Sequence, residues 1–450
     1  MTRPRVVIIG AGFGGLVAAQ TVAREPVDVT VIDRTNYHLF QPLLYQVATT
    51  MLSPGQIATP IRAILRRRRN VEVLLGDVTG IDLEARAVQL EGTQVAYDYL
   101  IVATGARHAY FGHPEWEPLA PGLKTVEDAL EIRRRVLLAL EIAERAAAMA
   151  PDQPPGSDLP AFVIVGGGPT GVELAGALAN LRTALRKDFR RIDPARVRVT
   201  LLEAGPRILP TFPEDLSRSA EAQLRALGVE VRTSSPVTAV EPGAVRVGET
   251  VLPSAVTLWS AGVAASPVGR LLGSGVDRSG RVTVNPDLTL SGHPDVYVIG
   301  DLATMPGPDR VPLPGLAAVA VQQGKWAARN IGRDLKGKPR VSFRYVDKGT
   351  LAAIGRKAAV ADFGSIHLSG FLAWITWLFV HILLLVGFRN RVMVLAEWGW
   401  SYFTPERSAR LITGGTDLPG WPPPRTPKAT HAPVASTSSA TEDRNTRILP

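Results

Sequence analysis

The sequence predicts an α/β fold with two parallel-sheet domains of the same βαβ design. The second is inserted in the first, and a strongly apolar C-terminal helical segment follows. Three observations predict it. A glycine-rich turn between an apolar strand and a helix occurs at residue 10 and again at residue 166. The strand ending Tyr99 to Gly105 is echoed by Val256 to Gly262. Residues 371–388 form an apolar run whose only polar side chains are Thr376 and His381.

The first unit opens with Val6-Val7-Ile8-Ile9, an apolar run that reads as a buried parallel strand. Gly10-Ala11-Gly12-Phe13-Gly14-Gly15 follows, then a helical pattern running toward Arg24 and a second strand ending in Asp33. This is G-x-G-x-x-G between strand and helix with an acid closing the next strand, the fingerprint of a Rossmann-like dinucleotide-binding domain. Gly10 allows the tight turn, Gly12 lets the backbone approach a pyrophosphate, and Gly15 lets helix and strand pack closely. The pyrophosphate sits on unpaired N–H groups at the positive helix end. Asp33 lies 33 − 15 = 18 residues beyond the last glycine, placed to accept hydrogen bonds from a ribose. The bland reading, a βα turn with no ligand, does not account for strand, helix and acid falling in register.

Residues 36–69 include Phe40-Gln41-Pro42-Leu43-Leu44-Tyr45-Gln46, whose composition suits a loop and short helix beside a flat ring. Strands at 71–75 and 87–90 precede the apolar strand that closes on Ala103-Thr104-Gly105. An alanine- and charge-rich helix at 130–149 leads to the proline-rich linker 150–157, where prolines forbid helix or central strand. Residues 161–165 begin the second unit, with Gly166-Gly167-Gly168-Pro169-Thr170-Gly171 as its turn and Glu173 two residues beyond. Its acid, Glu203, comes 203 − 171 = 32 residues later, so the insert 182–196 is expected to extend the helix. Gly262 closes the second unit, and a further strand ends in Gly300-Asp301 before a helix at 315–330. The expected division is 1–110 and 281–335 for the first domain, 111–160 for a connector and 161–280 for the inserted domain. A C-terminal domain at 336–412 and a disordered tail at 413–450 complete it.

Composition excludes several classes. The 450 residues contain no cysteine, which rules out disulfides, thiolate metal sites and flavoenzyme mechanisms that use a redox-active cysteine pair. A formal net charge of +9 comes from scattered basic residues rather than a nucleic-acid stripe. The one dense run, Arg66 to Arg69, reads as a solvated helix end. An anionic membrane surface is the better partner for such a chain, and no nucleic acid is expected. The amino terminus runs straight into the first strand with no room for a signal peptide, which predicts a cytoplasmic location. No His, Asp and Glu spacing resembles a metal site, so His38 and His381 read as packed residues. A single helix over 371–388 would span about 27 Å against about 30 Å of hydrocarbon, which favours an anchor dipping into the cytoplasmic leaflet of the cell membrane. One transmembrane pass and a soluble homodimer interface are the competing readings. Trp374, Trp377, Trp398 and Trp400 suit an interfacial belt.

The two fingerprints, the run from Phe40 to Gln46, Gly300-Asp301 and the Trp-rich C-terminal end together resemble type II NADH dehydrogenases, single-chain NADH:quinone oxidoreductases that pump no protons. The resemblance covers residues 5–403 and implies FAD on the first domain, NADH on the second, and a quinone reached from the membrane side. It assigns Gly10, Gly12, Gly14, Gly15, Asp33, Ala103, Thr104, Gly105, Gly300 and Asp301 to FAD, and Gly166, Gly168, Gly171, Glu203 and Gly262 to NADH. It implies that Glu173 lies near nicotinamide and flavin, and that Gln46, Gln322 and Gln323 take part in the chemistry, with Pro42 and Tyr45 lining the cleft. One departure stands out: Ala318 occupies the position of a family glutamine beside the quinone. That departure motivates an alternative, an NAD(P)H-dependent flavoprotein reductase with a non-quinone acceptor such as an iron–sulfur protein. A third reading is a flavin-retaining binding or regulatory protein. Glu203 would repel a 2′-phosphate and so favours NADH over NADPH, with Arg207 close enough to weaken that preference.

Overall fold

Apolar runs bounded by glycine turns become the central strands. The computed structural model describes residues 3–150, 152, 159–307, 311–404 and 409–421. Most of the linker 150–157, and the tail beyond 421, lie outside the described residues.

In the first unit, β1 (Arg5–Ile9) leads through the glycine turn into α1 (Phe13–Val22) and on to β2 (Asp28–Asp33). The short helix α2 (Leu44–Ala48) precedes β3 (Val71–Leu75) and β4 (Tyr99–Val102). β1 lies between β2 and β4, parallel to both, with Val6 opposite Val29 on one side and Tyr99 on the other. Strands buried on both faces need continuous apolar sequence, as these have. The long helix α3 (Val126–Met149) then crosses to the second unit. Its start is set by a capping box: Asp128 N–H donates to Thr125 Oγ1 at 3.1 Å, and Thr125 N–H donates to Asp128 Oδ2 at 2.9 Å.

The second unit repeats the arrangement. β5 (Ala161–Val165) runs into α4 (Pro169–Ala184), and β6 (Arg198–Leu202), β7 (Val229–Arg232) and β8 (Val256–Trp259) follow. β5 is flanked by β6 and β8 as β1 is by β2 and β4. β9 (His293–Val298) then pairs with β4, which returns the chain to the first sheet and makes the second unit an insertion. α5 (Ala317–Asp334) packs beside α1. Three antiparallel strands, β10 (Thr350–Gly355), β11 (Ala358–Asp362) and β12 (His367–Ser369), lead to helices α6 (Gly370–Leu384) and α7 (Phe388–Phe403).

Two expectations are corrected. The insert 182–196 does not lengthen α4: the helix stops at Ala184, and short 3-10 turns occupy Leu185–Lys187 and Pro194–Arg196. Pro194 lacks the N–H a continuing helix needs, and Asp193 caps the second turn by accepting from Ala195 N–H. The apolar run 371–388 is not one helix. Leu385 is extended and Gly387 has φ +90°, so the chain turns between α6 and α7. The 15 residues of α6 cover about 22 Å. No helix among the described residues is long and apolar enough to cross a membrane.

α6 and α7 bury one side in a cluster shared by three parts of the chain. Trp377, Ile382, Val394 and Trp398 pack with Leu44 of α2, Leu174 of α4 and Ala353 of β10. The seam depends on Gly176, where a Cβ would collide with the carbonyl oxygen of Ile354. Gly176→Ala is therefore expected to lower stability by about 1–3 kcal/mol in a denaturant titration. Gly399→Ala, in an exposed stretch of α7 with open space around a Cβ, is expected to raise it by about 0.5–1 kcal/mol.

Candidate functional site

Both glycine turns form cradles whose shape excludes side chains. Gly10 sits at φ +94°, and a Cβ there would lie 2.5 Å from the Ala103 carbonyl oxygen. At Gly15 a Cβ would collide with the Gly10 carbonyl, whereas Gly12 faces open space. Asp33 braces this turn: its Oδ2 accepts from Ala11 N–H at 2.6 Å, and its Oδ1 accepts from Thr35 N–H at 2.7 Å. Thr104 Oγ1, after the end of β4, is buried and has no hydrogen-bond partner among the described residues. Beside it, Gly300 N–H donates to Gln323 Oε1 at 2.7 Å, and Asp301 and Gly315 line a cleft of about 610 Å³. An open glycine, a braced acid and an orphaned hydroxyl fit a dinucleotide laid across the C-terminal edge of the sheet.

The second cradle is built alike. Gly166 has φ +106°, Gly168 faces open space and Gly171 closes on the Gly166 carbonyl. Glu203 Oε2 accepts from Gly167 N–H at 2.6 Å, and Oε1 accepts from Gly205 N–H at 2.7 Å. Gly262 stands against the Phe111 ring, with 2.5 Å left for a Cβ. The Arg207 guanidinium is turned away onto carbonyls, donating to Phe212 O at 2.7 Å and Pro210 O at 2.8 Å. It is engaged there rather than offered to a 2′-phosphate.

Glu173 lies where the three parts meet. It sits one turn into α4, and a small, largely apolar pocket opens in front of it. α2 supplies Tyr45 and Gln46, α4 supplies Ala177, and α6 and α7 supply Trp377 and Trp398. Among the described residues no cation pairs with Glu173; its partner is Ala353 N–H, donating at 3.4 Å. Burial pushes its carboxyl from 4.5 up to about 8, only partly offset by the Ala353 bond. That shift favours the protonated form of a half-buried side chain.

The structure brings Gln46 to this pocket but not the other two glutamines. Gln322 is held by Val346, donating to its carbonyl at 2.9 Å and accepting from its N–H at 3.0 Å. Gln323 is buried and braces the Gly300 turn. Pro42 lies half-buried in the 3-10 turn Gln41–Leu43 before α2. His38 is packed as expected, edge-on to Phe13 with its Nδ1 2.9 Å from Ala11 O. His381 is packed as well, bonded to Trp377 O, and burial lowers it to about 4.

The tryptophans separate into two groups. Trp400 is exposed, but Trp377 and Trp398 are 2 % and 8 % accessible and face the pocket, so the interfacial belt is corrected for these two. Their inward direction follows from the turn at Gly387, which no helical periodicity across 371–388 could reveal. Sequence reasoning also missed Ala177 and Ala353, small residues whose role is to leave room.

Comparisons with known proteins agree with this architecture. Residues 4–324 match the family model for pyridine nucleotide-disulphide oxidoreductases, and residues 348–404 match the NDH2 C-terminal domain. The disulphide chemistry in the first name has no counterpart here, because the chain has no cysteine. The type II NADH:quinone oxidoreductase NdhA of Mycobacterium tuberculosis is 45 % identical, covering 91 % of this chain and 90 % of its own. A type II NADH:quinone oxidoreductase of Staphylococcus haemolyticus is 32 % identical over 78 % of this chain and 88 % of its own. The structure of NDH2 from Plasmodium falciparum in complex with NADH superposes with a TM-score of 0.80 at 21 % identity, covering 92 % of this chain and all of that one. The fold and the two cradles define a pyridine-nucleotide oxidoreductase of the two-dinucleotide class. Within it, the chain belongs to the type II NADH:quinone oxidoreductases.

Two outcomes follow from the geometry. Because the folded pKa of Glu173 is raised, the native state holds a proton that the unfolded chain loses between pH 4.5 and about 8. Stability is unpenalised below that window and falls as pH rises through it. Urea titrations at pH 5, 7 and 9 should show this slope flattened in Glu173→Gln. Removing the carboxylate of Glu203 in Glu203→Ala should raise KM for NADH roughly tenfold while raising that for NADPH less, in steady-state assays with each nucleotide.

Proposed function

We propose that this enzyme holds FAD in the first cradle and NADH in the second, and reduces a quinone in the Glu173 pocket from the membrane side without pumping protons. The division into 1–110 with 281–335, 161–280 and 336–412 follows the same reading. The observation that carries it is the Glu173 carboxyl, with no cation partner among the described residues, at a pocket walled by both nucleotide units and by α6 and α7.

Asp33 and the Gly10 turn would orient the adenosine end of FAD, and Asp301 its ribityl chain. Glu203 and the Gly166 turn would do the same for NADH. Bound flavin supplies the two-electron relay. Conversion of a quinone to a quinol by NADH consumes a hydride, which carries two electrons and one proton, and one further proton. Glu173 holds that proton at its carboxyl, within the pocket, and is refilled from solvent after each turnover. Ala318 leaves space where the family glutamine would stand, and the proposed hydrogen-bonding groups for quinone are accordingly those of Tyr45 and Glu173. The iron–sulfur alternative is disfavoured by a pocket whose lining is concave and largely apolar rather than a charged docking face.

The outer faces of α6 and α7 support attachment to the cytoplasmic leaflet. Ile375, Phe379, Leu383 and Leu384 are exposed, and Phe388 and Phe403 are 82 % and 85 % accessible. A patch of this kind marks a lipid or protein interface. Arg389 is exposed beside it, suited to anionic headgroups.

Filling the pocket tests the quinone site. Ala177→Trp is expected to lower quinone reduction at least tenfold while ferricyanide, which takes electrons from flavin directly, is reduced at the wild-type rate. Equal effects on both acceptors would reject the site. The paired change Leu384→Asp with Phe388→Asp is expected to move the protein from liposome pellets to the supernatant in cosedimentation, since each apolar side chain withdrawn from lipid costs about 1.5–3 kcal/mol. A dimer dissociating instead would favour the protein-interface reading.

A further inference from the structure

Three side chains at the pocket form a hydrogen-bond chain whose direction chemistry dictates. Trp398 Nε1 lies 2.7 Å from Gln46 Oε1, and Gln46 Nε2 lies 3.1 Å from Tyr45 Oη. An indole N–H only donates, so the Gln46 amide must present its oxygen to Trp398. Its NH2 group then faces Tyr45 and donates to the phenol oxygen. The phenol has accepted on that side and must aim its own proton elsewhere. Among the described residues no acceptor receives it. Tyr45 lines the same pocket as Glu173, and burial raises the phenol well above its ordinary value, so the O–H stays protonated. Gln46 and Trp398 are buried, which shields both bonds from water.

We propose that Tyr45 donates a hydrogen bond to the quinone carbonyl, and that Trp398 of α7 acts through Gln46 as the positioning residue that aims it. This rests on the quinone reading of the pocket and adds to it a donor and the device that orients the donor. Its consequence is that α7, whose outer face carries the exposed apolar residues, also sets the geometry of the quinone site. Gln46 is thereby placed one bond back from the substrate, as a link between Trp398 and Tyr45.

The test is a double-mutant cycle on the flavin-loaded enzyme, read by stopped flow. The rate of flavin reoxidation by a tailless ubiquinone analogue is divided by the rate of flavin reduction by NADH. Tyr45→Phe is expected to lower this ratio roughly tenfold, and Trp398→Phe roughly threefold to tenfold. In the Tyr45→Phe background Trp398→Phe is expected to lower it no further, because the proton it aims has gone. If Trp398→Phe slows reoxidation as much in the Tyr45→Phe background as in the wild-type enzyme, or if Tyr45→Phe leaves the ratio unchanged, the proposal is overturned. Should Trp398→Phe fail to retain flavin, Gln46→Met breaks the same link and is judged by the same non-additivity. Failure of the underlying site is distinguishable: it appears as Ala177→Trp without effect on quinone reduction, whereas failure of the chain alone leaves Ala177→Trp inactive toward quinone and the cycle additive.

Discussion

The site depends on one backbone contact, the approach of α4 to β10 at Gly176 and Ile354, where no Cβ fits. It brings the inserted unit against the C-terminal strands closely enough to half-bury Glu173 on α4 and to set its carboxyl beside Ala353 N–H. Desolvation of that carboxyl, with a single weak backbone donor and no cation among the described residues, shifts it toward its protonated form. Loosen the seam and the carboxyl would hydrate, ionise and lose its value as a proton source. The same contact leaves a pocket because its lining alternates bulk with small residues: Ala177 and Ala353 stand among three tryptophans and a tyrosine.

The two cradles show how one design serves two ligands. In each, the acid at the end of the second strand accepts from an N–H of the glycine turn, Ala11 for Asp33 and Gly167 for Glu203. Such charge-assisted bonds fix the acid before any ribose arrives, so less ordering remains to be done on binding. The long helix α3 packs against α2 of the first unit and β8 of the second, and the C-terminal helices join the same apolar cluster.

Much of this was legible in the residues because its causes are local. Gly10 and Gly166 adopt positive φ and Gly15 abuts a carbonyl, demands that only glycine meets, so both turns announce themselves in order of sequence. The echo of residues 99–105 in 256–262 likewise became β4 and β8, each paired with the first strand of its unit. What was not legible is set by contacts distant in sequence. The turn at Gly387 makes two helices of one apolar run and points Trp377 and Trp398 inward, a choice made by packing against α2 and α4. Gln322 and Gln323 look equivalent in sequence, yet one is held by Val346 and the other by Gly300, because their partners lie 24 and 23 residues away. The burial of Glu173 depends on β10, which lies 180 residues further along the chain at Ala353.

Whether quinone binds between α2, α4 and the C-terminal helices is open to a direct chemical readout. The flavin-loaded enzyme is photolabelled with an azido-quinone and its peptides are mapped. Label displaced by excess quinone should fall on peptides carrying Met51, Ala177 or Trp374. Displaceable label confined to peptides outside those three segments would contradict binding at this pocket.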